Sequence, residues 1–204
     1  MKFNVPTKLT FLRLTLSLLI ILLLLFPFYR IGFEFKTFLF HDILIDVRYI
    51  LCGVIFIFAS FTDYLDGYLA RKNKQVTDFG KFSDAIADKV LVNSVLIIFA
   101  SFGFVPAIVP VVIVVRDIVV DAIRMNVAGK GVVQAAKLSG KIKTVCLMIG
   151  ITLTFFYNLP FEVFGLQISK FFIYFGTLMS LVSMIEYYNL NKKALFSEFE
   201  ENKK

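Results

Sequence analysis

Four of the five aspartates in the stretch DYLDGYLARKNKQVTDFGKFSDAIADK, residues 63–89 of an otherwise apolar chain, are Asp63, Asp66, Asp84 and Asp88, spaced for two helix faces. A carboxylate in apolar surroundings is costly unless it is paired, protonated or bound to a cation. On a helix, Asp63, Asp66 and Ala70 stand at i, i+3 and i+7 and share a face, with Gly67 and Arg71 beside it. Gly80, Asp84 and Asp88 stand at i, i+4 and i+8 on a second helix. The short loop between them predicts antiparallel neighbours, whose acidic faces meet at one level. Four crowded anions do not all stay ionised unaided. A divalent cation removes the conflict, and oxygen ligands favour Mg²⁺, Mn²⁺ or Ca²⁺ over zinc. Two ions bridged by shared carboxylates, about 3.5–4 Å apart, serve phosphoryl chemistry. Gly67, Ala70 and Gly80 leave room for a ligand, and Arg71 offers a planar fork for a diphosphate. The competing use of such aspartates is an ion or proton path through a membrane.

The elements that carry these residues are hydrophobic enough to sit in a bilayer. The chain has 204 residues, of which 58% are hydrophobic, and a mean hydropathy of +0.81. Several apolar runs approach the roughly 20 residues needed to cross a bilayer. The expected fold is all-α, a single membrane domain of six transmembrane helices near 9–28, 47–71, 80–103, 106–127, 139–158 and 168–189. The first run is long for a secretion signal and is followed by Arg30 rather than a small-residue cleavage site, so it reads as a retained span. The segment 33–47 mixes apolar residues with Glu34, Lys36, Asp42 and Asp46 and is too charged to span. It reads as an interface-lying, extracytoplasmic piece.

Net charge is +7, and its placement excludes a nucleic-acid patch. Basic residues gather in the N-terminal segment (Lys2, Lys8, Arg13), the 71–81 loop and the region from Arg124 to Lys143. They gather again in the C-terminal tail. The opposite side carries only Arg30, Lys36, Arg48 and Lys170. The positive-inside rule then puts both termini, and the aspartate stretch, in the cytosol. Cys52 and Cys146 are separated within helices and read as packing, and His41 as a loop residue, so neither a disulfide nor a zinc site is expected.

The spacing Asp63-x2-Asp66-Gly67-x2-Ala70-Arg71-x8-Gly80-x3-Asp84-x3-Asp88 resembles the full signature of the CDP-alcohol phosphatidyltransferase family. Three flanking segments resemble the bacterial phosphatidylglycerophosphate synthase branch. They are NVPTKLTFLRL (4–14), VVRDIVVDAIRMNVAGKG (114–131) and LSGKIKT (138–144). This chain has Thr7 where that branch has Asn, and Asp117 after Arg116 where it has Glu. The resemblance implies a six-helix membrane enzyme, a homodimer in the cell membrane, using two Mg²⁺ or Mn²⁺ ions per site. It implies that Asp63, Asp66, Asp84 and Asp88 hold metal and that Asp88 acts as general base. It also implies that Pro6, Thr7, Thr10, Asp63, Gly67, Ala70, Arg71, Thr77 and Gly80 contact the CDP-lipid.

The implied substrates are CDP-diacylglycerol and glycerol 3-phosphate. A dianionic acceptor needs a basic pocket near the metals. Arg116 lies inside the fourth helix, where an isolated cation is costly. Arg124 stands i+3 from Asp121, so substrate binding competes with an internal ion pair. Lys137, Lys141 and Thr144 share a face; the two lysines suit a phosphate or anionic headgroups equally. Lys130, Lys143 and the C-terminal lysines read as topology or lipid-surface charges. The other outcomes are a cardiolipin synthase, another transferase of the same family, or a divalent-cation transporter. The transporter requires carboxylates along the whole path, and the extracytoplasmic halves of the second and third helices contain none.

Overall fold

Among the described residues, six runs rich in Leu, Ile, Val and Phe form α-helices. They are α1 (Val5–Leu25), α2 (Val47–Lys72), α3 (Asp78–Ser101), α4 (Ile108–Gly129), α5 (Leu138–Phe155) and α6 (Ile168–Glu201). The computed structural model describes residues 5–41, 43–72, 78–129 and 137–201. Pro110 falls in the first turn of α4, where its missing N–H breaks no helix bond. Gly165, at φ 68°, turns the chain in the left-handed region just before α6. The sixth helix runs 34 residues, well past the expected end near residue 189.

The all-α expectation needs one correction. Thr37–Phe40 and Ile43–Asp46 form an antiparallel hairpin, β1 and β2, with Phe38 opposite Ile45 and Leu39 opposite Leu44. The mixture of charge and apolar residues that rules out a span is, locally, a strand alternation: Ile45 is buried and Leu44 exposed. His41, at φ 46°, occupies the turn, and Asp42 lies outside the described residues.

Among the described residues, three helical segments, Lys8–Leu25, Leu138–Phe155 and Ile168–Lys192, are long and apolar enough to cross a membrane. Large apolar side chains point outward on every helix, among them Leu22, Phe58, Ile97, Ile118, Val145 and Phe171. So much exposed apolar surface suits a lipid environment. The inner core joins α1, α2, α3, α4, α5 and α6 through Ile20, Phe56, Phe99, Ile113, Phe155 and Ile173. Cys52 and Cys146 are buried free thiols.

Among the described residues, helix α1 packs against both α2 and α3, which touch each other far less, and α6 packs against α4 and α5. An α1 side chain bridges the acidic residues Asp63 of α2 and Asp84 of α3. Where α5 meets α6 the approach is close: a Cβ on Gly150 would lie 2.6 Å from Ile173 Cγ1 and 3.1 Å from the Ser169 carbonyl. Only glycine fits there without displacing α6.

Candidate active site

Arg13 stands where α1 passes between α2 and α3. A cation within the apolar run of α1 must find anions, and it finds one on each neighbour. Its Nη1 donates to Asp63 Oδ1 at 2.7 Å and to Asp84 Oδ1 at 2.9 Å. The Arg13 side chain is fully buried, while the two carboxylates are partly open. Ser17 Oγ donates to the Arg13 carbonyl at 2.8 Å, and Thr10, one turn earlier on α1, is also buried.

One turn beyond Asp84, Asp88 turns inward. Its Oδ1 is buried with no hydrogen-bond partner among the described residues. A buried carboxylate oxygen left this way is costly, and a hard cation is the ligand class that suits it. The donor chemistry thus fits a divalent ion. Among the described residues, however, no three His, Cys, Asp or Glu side chains are gathered as a ready ligand set; Asp63 and Asp84 converge on Arg13 instead.

A cavity of about 600 Å³ opens beside this carboxylate group. Asp63 and Asp88 line it together with Arg116, Arg124, Lys137 and Lys141. Its wall contains a second buried ion group. Asp117 Oδ1 accepts from Arg116 Nη1 at 2.9 Å and from Lys143 Nζ at 2.6 Å. Arg116 Nη2 donates to Ser183 Oγ on α6 at 2.6 Å. Farther along, Arg124 Nη2 donates to the Tyr187 hydroxyl at 2.6 Å, and its guanidinium lies over the Tyr187 ring at 4.7 Å. The Lys137 backbone N–H also reaches that hydroxyl, at 3.4 Å. One tyrosine of α6 therefore ties the end of α4 to the start of α5.

Several expectations meet a different arrangement. Arg124 does not pair with Asp121; the Asp121 carboxylate takes the Lys89 ammonium of α3 instead. Arg116 is not an isolated cation, since Asp117 and Ser183 hold its two terminal nitrogens. Lys143, read as a surface charge, is buried against Asp117. Lys137 and Lys141 are exposed at the cavity, and Gly80 is half-buried on α3. Thr77 and Lys130 lie outside the described residues, as do the side-chain surroundings of Pro6, Thr7, Asp66, Gly67, Ala70 and Arg71. Sequence reasoning passed over Arg13, Asp117, Lys143, Ser183 and Tyr187. For Arg13 the signal was its position, a lone cation among Leu and Phe in a candidate span.

Carboxylates, a flanking basic cavity and a membrane-suited helical frame together define a class. Residues 3–183 match the family model described as CDP-alcohol phosphatidyltransferase, and the chain belongs to that family. A Bacillus subtilis protein named CDP-diacylglycerol–glycerol-3-phosphate 3-phosphatidyltransferase is 37% identical, over 95% of this chain and 97% of its own. A Haemophilus influenzae protein of the same name is 33% identical over 98% of this chain and all of its own. Among solved structures, apo phosphatidylinositol phosphate synthase from Mycobacterium tuberculosis aligns with a TM-score of 0.60. That alignment covers 92% of this chain and 89% of the other at 17% identity, which speaks to the shared fold.

Proposed function

We infer that this protein is an enzyme that transfers the phosphatidyl group of CDP-diacylglycerol to glycerol 3-phosphate and releases CMP. The observation that carries this reading is that one cavity is lined both by Asp63 and Asp88 and by Arg116, Arg124, Lys137 and Lys141. It accompanies near full-length similarity to relatives named for that reaction.

Asp63, Asp66, Asp84 and Asp88 would hold two Mg²⁺ or Mn²⁺ ions, which supply neutralisation of the CDP diphosphate when bound. Pro6, Thr7, Thr10, Gly67, Ala70, Arg71, Thr77 and Gly80 would contact the CDP portion. Arg116, Arg124, Lys137 and Lys141 draw the acceptor phosphate into the cavity. That leaves the acceptor hydroxyl facing the carboxylates. Asp88 accepts its proton as the oxygen attacks the phosphorus that bears diacylglycerol, and the bond to CMP breaks in line. Holding both substrates in one cavity accounts for much of the acceleration such transfers need. The setting is a six-span protein of the cell membrane with cytosolic termini and site, working as a homodimer.

The test supplies the purified protein with CDP-diacylglycerol, Mg²⁺ or Mn²⁺, and one alcohol at a time, and measures CMP release. Glycerol 3-phosphate is expected to stimulate release strongly. Stimulation by phosphatidylglycerol or inositol phosphate in its place would reassign the acceptor.

A further inference from the structure

On the reading that Asp63 and Asp84 hold a divalent cation, we propose that Arg13 competes with that cation for the two carboxylates. The competition ties metal loading to the arrival of an anionic diphosphate. One nitrogen, Nη1, reaches a carboxylate oxygen on each of two helices, at 2.7 and 2.9 Å. A guanidinium does not lose its proton in a protein, so this positive charge is permanent. Nor is it free to swing away: the side chain is fully buried, on a helix packed against both partners.

A divalent ion on Asp63 and Asp84 would then meet a fixed like charge on the buried side of the two partly open carboxylates, and the two repel. The benefit of Arg13 is that the acidic faces of α2 and α3 come together without relying on metal. Its cost is a weaker hold on the ion alone. A diphosphate brings negative charge that offsets the repulsion, so ion and diphosphate each tighten the other by the same factor.

The experiment is equilibrium dialysis of Mn²⁺ against the purified full-length protein, with and without CDP. We expect R13Q to bind Mn²⁺ about tenfold more tightly than wild type when CDP is absent, and CDP to tighten binding less in R13Q than in wild type. R13K keeps the charge and is expected to resemble wild type. If R13Q folds poorly, extraction in Mn²⁺ is expected to restore it, because ion and guanidinium are interchangeable between the carboxylates. Equal or weaker Mn²⁺ binding by R13Q, or failure of Mn²⁺ to restore a poorly folded R13Q, would overturn the inference while leaving the metal reading standing. No Mn²⁺ bound by wild type even with CDP would overturn both.

Discussion

The two ion groups beside the cavity are mirror images in charge. At one, among the described residues, the cation Arg13 is shared by the anions Asp63 and Asp84. At the other, a single anion, Asp117, is shared by two cations, Arg116 and Lys143. Each central residue is buried, and each group crosses between helices. In each, the central charge draws its two partners together against their mutual repulsion. A buried ion that holds its neighbours in place also sets what the adjoining space attracts. In this chain the partly open carboxylates of the first group suit a cation, and the exposed Lys137 and Lys141 at the cavity suit a phosphate.

Removing the carboxylate of Asp88, whose Oδ1 has no hydrogen-bond partner among the described residues, should have the largest effect. Asp88→Asn is expected to lower kcat about 10²–10⁴-fold in the CMP-release assay, with the fold intact by circular dichroism. Full activity would remove Asp88 from the reaction. Next comes the loss of the shared anion. Asp117→Ala leaves two buried cations uncompensated and is expected to cost roughly 3–5 kcal/mol, read as a lower midpoint of thermal unfolding. Asp117→Glu should recover much of it.

Cutting one cation tests the other half of the comparison more gently. Arg116→Lys keeps a charge but loses the fork that spans Asp117 and Ser183. The KM for glycerol 3-phosphate is expected to rise about tenfold, with kcat changed less. Tyr187→Phe deletes the hydroxyl that Arg124 uses while keeping the stacked ring; a loss of about 1 kcal/mol is expected, seen as a few-fold higher KM. The smallest change should come from Gly140→Ala. The new Cβ would lie 3.5 Å from Ser183 Oγ and 3.7 Å from Arg116 Nη2, ordinary contact distances, so KM and thermal midpoint should stay near wild type.

The helices were legible because apolar runs of span length leave few alternatives. The hairpin was not, since four-residue strands carry little periodic signal and Glu34, Lys36, Asp42 and Asp46 obscured it. The candidate carboxylates were legible through i, i+3 and i+4 spacing, which is a local property. What lay between them was not, because it depends on which helix packs where. Spacing on α2 and α3 says nothing of α1, so Arg13 passed for a topology charge. The same holds for Lys143, whose partner is 26 residues away on α4. Arg124 and Asp121 are near enough in sequence to predict a pair, yet each has a tertiary partner, Tyr187 and Lys89, that local spacing cannot reveal.

The bare Cα of Gly150 sets a clearance. It lets α6 lie against α5 at Ile173, and Ser183 and Tyr187 extend from that pivot by about 15 and 21 Å at 1.5 Å rise per residue. A methyl group wedged into the pivot would splay α6 like a lever. The displacement would be felt where Ser183 steadies Arg116 and Tyr187 steadies Arg124. The width of the cavity is thus gauged several helical turns away, by an atom that is missing from one residue.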